Sequence, residues 1–158
     1  IKKIQPSYTV RDEHEMTLVG FVAFFDPPKT SARETLIFMK QHGVDIKILT
    51  GDSPLVTRKI CEELGMEIKG VVLGDELDIN TMSDAAIAHK AEHANIFARL
   101  SPNQKERLIT ALRSQGLVVG YLGDGINDAP SLKAADVGIS VSNAVDVAKE
   151  TADIILMK

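Results

Sequence analysis

The sequence contains no tryptophan, only two tyrosines and five phenylalanines, which leaves no stacking platform for bases. A single cysteine, Cys61, excludes an internal disulfide framework and any paired-cysteine metal site, and fits a packed core thiol in a reducing compartment. Positive charge is also scarce. Eighteen basic side chains face twenty-two acidic ones, and no basic cluster stands out, which argues against binding nucleic acid by phosphate neutralisation. The longest apolar run, Leu18 to Phe25, is well short of the roughly 20 residues a membrane helix needs, and no signal peptide precedes it. Neither a Walker A sequence nor G-x-G-x-x-G occurs, so P-loop and Rossmann dinucleotide sites are excluded. What is present, 158 residues with 44% apolar and 25% charged, suits one folded domain. The chain starts at Ile1 and stops directly after an apolar run, so it reads as a piece of something longer.

Strand and helix patterns alternate along the chain. Thr17 to Phe25 predicts a buried strand, stopped by Asp26-Pro27-Pro28. Ser31-Ala-Arg-Glu34 is a capping-box pattern opening a helix of about three turns, with Leu36, Ile37 and Met39 on its inner face and Gly43 as a left-handed stop. Asp45 to Leu49 predicts a strand, and Pro54 opens a helix that ends before Gly65. Gly70 to Leu73 and Ile96 to Ala98 predict strands around a helix capped by Ser83 that runs to about His93. Ser101-Pro-Asn-Gln104 is a second capping box, leading a helix to Gly116. Leu117 to Leu122 is continuously apolar, as expected of a parallel strand covered on both faces. A short helix near Ser131 to Ala135, a strand Val137 to Val141, a helix near Ala144 to Thr151 and a strand Ile154 to Met157 complete the series. The alternation predicts a doubly wound, mostly parallel α/β sheet, whose ligands lie beyond the carboxyl ends of the strands. Chemistry is therefore sought in the loops after Leu49, Ala98 and Leu122.

Gly123-Asp124-Gly125-Ile126-Asn127-Asp128 follows the most apolar strand. Two carboxylates four residues apart, on a backbone that glycines let turn tightly, form an oxygen-ligand site suited to Mg²⁺. A plain Asx-rich turn is the simpler alternative, and the loop's position at the strand end weighs against it. Thr50-Gly51-Asp52 ends another strand before a helix N-terminus, where a hydroxyl and an amide can hold a phosphate oxygen; helix capping by Asp52 or Ser53 accounts for the same residues. Lys105, alone, would be a solvated helix lysine. Together these groups are equipment for binding Mg²⁺ and a transferring phosphoryl group.

Thr50-Gly-Asp, Lys105 in Phe97-Ala-Arg-Leu-Ser-Pro-Asn-Gln-Lys105, and the run Gly123 to Ile139 resemble the phosphorylation domain of P-type cation-transporting ATPases, of the haloacid dehalogenase superfamily. Asp26-Pro-Pro-Lys29 resembles the hinge at which that family's nucleotide-binding domain returns. Details of Ile96 to Lys105 and Ser140 to Leu156 look most like the bacterial magnesium-translocating branch. The resemblance implies that residues 1–25 are the return segment and 26–158 the C-terminal part of the phosphorylation domain. It also implies that Thr50 and Lys105 hold phosphoryl oxygens, Asp124 ligates Mg²⁺, Asp128 supports that metal site and Asn127 contacts the phosphate. Gly51 belongs to the same phosphate-facing turn, Asp52 and Arg99 would face the nucleotide, and Asp26 would lie near the hinge. ATP would be the substrate and the remainder of a bacterial cell-membrane pump the partner, with this part on the cytoplasmic side.

The chain departs from the family in one respect: it contains no Asp-Lys-Thr-Gly-Thr segment, whose Asp is the phosphorylated nucleophile and whose strand is central to the sheet. The expectation is a haloacid dehalogenase-like sheet lacking that strand, its gap exposed or filled by another segment or chain, and a fragment inactive alone. The other readings are a soluble phosphatase of the same superfamily, a receiver-like signalling domain and a non-catalytic binding module. The first needs its own nucleophile motif before Thr50, and the second requires the acid pair before the lysine, the reverse of the order here. His89 and His93, four apart on a helix with Glu92 beside them, form two-thirds of a transition-metal site, and a solvated helix face is the simpler reading. Asp75, Glu76 and Asp78 read as a solvated loop, and Met39, Met66, Met82 and Met157 as core fillers.

Overall fold

The computed structural model describes residues 7–22 and 28–157. Among the described residues six α-helices and six strands alternate as the sequence pattern requires. They run α1 Thr30–Gln41, β1 Ile48–Leu49, α2 Pro54–Glu63, β2 Val71–Leu73, α3 Asp84–His93, β3 Ile96–Ala98, α4 Pro102–Ser114, β4 Gly120–Leu122, α5 Ala129–Ala134, β5 Val137–Val141, α6 Asp146–Thr151 and β6 Ile154–Leu156. Every pairing is parallel, but the strands form two three-stranded sheets, ordered β1-β3-β2 and β4-β5-β6. Among the described residues β1 pairs only with β3, and β4 only with β5, so each leaves one edge open. Among the described residues the sheet is thus interrupted, in keeping with the expectation of a gap in it.

The helix boundaries have local causes. In α4, Ser101 Oγ accepts from the Gln104 amide and Gln104 Oε1 accepts from the Ser101 amide, the reciprocal box the sequence predicts. Ser83 and Ser53 accept from Ala86 and Leu55 amides at the starts of α3 and α2. Gly43 and Gly65 stop α1 and α2 with φ of +75° and +70°. The Ser31 box does not form: α1 starts at Thr30 with Lys29 as its N-cap, which puts Ser31 inside the helix.

Two apolar clusters share the interior. One packs Val72, Ile87, Phe97, Leu108 and Leu112 between the first sheet and α3 and α4; the other packs Ile109, Tyr121, Leu132 and Ala148 in the second half. Leu49 and Val119 touch both, and α4 contributes to both, so α4 joins the halves. Cys61 is buried, as expected of a core thiol, and burial pushes its pKa up.

Several expectations fail where apolar residues lack cover. Residues 17–22 form no strand, and Leu18, Val19 and Phe21 are exposed; a strand needs neighbours to pair with, and these have none among the described residues. The rest of that predicted strand, with Asp26, lies outside the described residues. Ile37 and Met39 on α1 are exposed instead of filling a face, and Met157 is exposed too. Only Gly120–Leu122 of the run 117–122 is strand, and Val118 and Leu122 are exposed because one flank of β4 is open. The loop acids are ordered: Glu76 accepts from the Leu73 amide, and Asp78, held by Thr81 and the Asn80 amide, has a lowered pKa.

Candidate active site at the strand ends

The loop after β4 is fixed by its backbone. The Gly123 amide donates to Ile139 O at 3.1 Å, the buried Ser140 hydroxyl donates to Gly123 O at 2.9 Å, and the Val145 amide donates to Asp124 O at 3.1 Å. A Cβ at Gly123 would lie 2.6 Å from Asp128 Cβ, so only glycine allows the 3₁₀ turn Ile126–Asp128 to fold back this closely.

That turn delivers Asp128 to three donors. Lys105 Nζ lies 2.9 Å and the Tyr121 hydroxyl 2.7 Å from Oδ1, and the Gly125 amide 3.2 Å from Oδ2. The Lys105 and Asp128 side chains are 12% and 14% exposed, so this pair is largely withdrawn from water. Burial pushes the Asp128 carboxyl up, but the hydrogen bonds from Lys105 and Tyr121 outweigh it and its pKa ends below the ordinary value. Burial first, then Asp128, pushes the Tyr121 hydroxyl well above its usual range. Tyr121 therefore stays protonated and donates to the carboxylate.

Asp124 is different. It is exposed, and among the described residues its carboxylate makes no hydrogen bond or ion pair. An unengaged carboxylate beside one whose oxygens are already occupied, with only oxygen donors at hand, fits a hard cation such as Mg²⁺ that keeps much of its water. Asn127 is likewise exposed in the same turn.

A second cluster sits beyond β1 and β3. The Thr50 hydroxyl donates to Asp52 Oδ2 and accepts from the Asp52 amide, both at 3.0 Å. The Leu100 amide donates to Thr50 O and the Arg99 amide to Asp52 O, which stitches the two loops together. Arg99 is exposed and adopts φ +55°, a left-handed conformation uncommon for a side chain of its kind. Ser53, not Asp52, caps α2. Gly51 is exposed and its missing Cβ would meet only Leu100 O, at 3.6 Å.

The structure thus brings Lys105, Asp128 and the Asp124 loop together, and Thr50, Gly51, Asp52 and Arg99 together. Among the described residues no hydrogen bond or ion pair links the two groups. Tyr121 is the site residue the sequence reading missed; a lone polar ring in an apolar strand, two residues before the loop, was its only signal.

Known proteins match the chain extensively. The family model for haloacid dehalogenase-like hydrolase covers residues 4–136. The magnesium-transporting P-type ATPase 1 of Escherichia coli K12 is 51% identical over 151 residues, 96% of this chain and 17% of that protein. Calcium-transporting ATPase 1 of Bacillus cereus is 40% identical over 147 residues, 91% of this chain and 16% of that protein. A zinc-transporting PIB-type ATPase structure in an E2.Pi state superposes with a TM-score of 0.59 at 33% identity, covering 81% of this chain and 16% of the other. The chain therefore spans less than a fifth of the relatives' length. With a matching family model over most of its residues and a parallel α/β fold carrying its acids at the strand ends, the chain belongs to the haloacid dehalogenase-like hydrolase family, where the relatives it matches are P-type cation-transporting ATPases.

Proposed function

We propose that the chain is the phosphoryl-handling part of an ATP-driven cation pump, with Mg²⁺ as the transported ion, a choice supported by its identity to a magnesium-transporting relative. The observation that carries the reading is the largely buried Lys105–Asp128 pair, keyed by Tyr121, beside the unengaged Asp124 carboxylate. Residues 26–158 form the C-terminal part of the phosphorylation domain, and residues 1–25 return from a nucleotide-binding domain, with Asp26 at the hinge.

Lys105 carries three donors, and Asp128 takes one, so two remain for phosphoryl oxygens. Asp128 is a positioning residue: it holds the ammonium at one place, and Tyr121 holds Asp128. The Thr50 hydroxyl is engaged with Asp52, and it serves a phosphoryl oxygen once Asp52 releases it. Gly51 and Asn127 add an amide and a side-chain amide to the same oxygens, and Asp52 and Arg99 face the nucleotide. Asp124 holds Mg²⁺, with Asp128 in support; when bound, the ion neutralises charge on the phosphoryl group. The nucleophilic Asp and its strand come from the rest of the pump, supported by the absence of Asp-Lys-Thr-Gly-Thr here and the open edges of β1 and β4. Those edges also permit self-association of the chain alone. The whole pump sits in a bacterial cell membrane, this part facing the cytoplasm; among the described residues no helix is long and apolar enough to cross a bilayer.

Calorimetric Mg²⁺ titration of the chain against Asp124→Asn tests the metal assignment: the variant binds at least about tenfold more weakly, and equal affinity removes Asp124 from the role. Incubation with labelled ATP and Mg²⁺ tests the missing nucleophile. No acid-stable, hydroxylamine-sensitive label forms on this chain, and its appearance overturns that part of the reading.

A further inference from the structure

The C-terminal half of α3 carries His89, Glu92 and His93, all exposed, with one nitrogen or oxygen donor from each lying within 4.8 Å of the others. The sequence places Glu92 beside the two histidines, and the fold brings its carboxylate within reach of both, because positions i, i+3 and i+4 share one helical face. The two imidazoles are 4.7 Å apart between ring centroids and tilted by 42°, close enough for two nitrogens to converge on one ion.

A further contact bears on the tautomer of His93. His93 Nδ1 lies 2.9 Å from the carbonyl oxygen of His89. A carbonyl can only accept, so Nδ1 carries the proton in that contact and Nε2 is left with its lone pair. This is the arrangement that orients a ligating histidine and fixes its tautomer. This half also ends the helix, where the backbone dipole favours a cation. Both histidines line an open cleft of about 290 Å³ beside the outer edge of β2, unpaired among the described residues, and share it with Val71 and Val72. Lys90 lines the same cleft, but its charge sits on a flexible stem that can swing into water.

We propose that His89, Glu92 and His93 form a site for a transition-metal dication of the zinc type, with three protein ligands and a fourth position open to water from the cleft. Imidazole nitrogens select such ions over Mg²⁺, which makes the site chemically distinct from the oxygen donors at Asp124. The site stands on α3 and is independent of the phosphoryl-handling reading.

Zinc titration of the chain in competition with a chromophoric chelator tests the proposal. The expected result is one Zn²⁺ per chain, with affinity falling at least about tenfold in His89→Ala and in His93→Ala and by less in Glu92→Gln. His42→Ala, an equally exposed histidine bonded to the carbonyl four residues back, leaves it unchanged. Far-UV circular dichroism of each variant checks that α3 is retained, as the exposure of all three side chains leads one to expect. No stoichiometric zinc binding overturns the proposal, as does binding that survives His89→Ala and His93→Ala together in a folded chain.

Discussion

Separating Lys105 from Asp128 perturbs the site at its best-defined point. Asp128→Asn removes the charge that balances Lys105 and, with the amide nitrogen at the Oδ2 position, sets two donors against each other at 3.2 Å. Stranding one member of a fully buried pair costs about 3–5 kcal/mol; with the side chains 12% and 14% exposed, the lower end applies, about 3 kcal/mol. Lys105→Met costs less, about 2 kcal/mol, because Asp128 keeps the Tyr121 hydroxyl and the Gly125 amide. The double variant strands neither charge, so its cost stays near about 3 kcal/mol and the coupling energy is about 2 kcal/mol. Urea unfolding of the four proteins at pH 7, followed by far-UV circular dichroism, measures this directly. Repeating it at lower pH adds an independent check. The Asp128 pKa is below the ordinary 3.8, so between the two values the unfolded chain binds the proton first. Its contribution is complete above the ordinary value and is lost as pH falls through the folded one, so the gap between wild type and Asp128→Asn narrows below about pH 4. Asp45, Asp78 and Asp136, also lowered, titrate alike in both proteins and cancel in the difference. Single costs that simply add, to within about 0.5 kcal/mol, would refute the reasoning, because the two groups would then not be stabilising one another.

Two glycines two residues apart differ in what a methyl group meets. Gly123→Ala puts a Cβ 2.6 Å from Asp128 Cβ and 2.9 Å from Tyr121 Cε1, costs about 1–3 kcal/mol and weakens Mg²⁺ binding, whereas Gly125→Ala, whose nearest neighbour is 3.4 Å away, changes urea stability by less than about 0.5 kcal/mol. Arg99→Gly relieves the φ of +55° and raises stability by up to about 1 kcal/mol; Arg99→Ala keeps the strain and gains nothing, and equal midpoints for the two would show that no strain is stored there.

Legibility followed the range of the interaction. The Ser101 box, the Ser83 cap and the strands Ile96–Ala98 and Val137–Val141 depend on neighbours within a few residues and appear where the sequence places them. Lys105 was reachable because its helix start was. Tyr121 was not: its importance arises when a turn seven residues later folds Asp128 back onto the strand, a contact no periodicity encodes. Apolar patterning marked Ile37, Met39 and Val118 as surfaces seeking cover, and the pattern says nothing about whether the same chain supplies it. The transition-metal donors fell between these cases, visible as a spacing but brought within reach of one another only on the folded helix.

The interrupted sheet raises the question of what fixes one half against the other. Helix α4 does so, because it is attached to both at both ends. On the side of the first sheet, Gln104 Nε2 donates to Gly74 O and Leu77 O, Arg107 pairs with Asp84, and Leu108 and Leu112 enter the first cluster. On the side of the second, Lys105 reaches Asp128 at the start of the helix and Arg113 reaches Asp136 and Ala134 O near its end. Its thirteen residues make a rod of about 20 Å that both halves share. The two fastenings are not equivalent. The Arg113–Asp136 pair is 44% and 30% exposed, a setting where ion pairs contribute about 0–1 kcal/mol, whereas Lys105–Asp128 is nearly closed to water. The stronger fastening is therefore also the candidate site: the Lys105–Asp128 pair that ties α4 to the second half is the pair through which, in the function proposed above, the lysine is positioned.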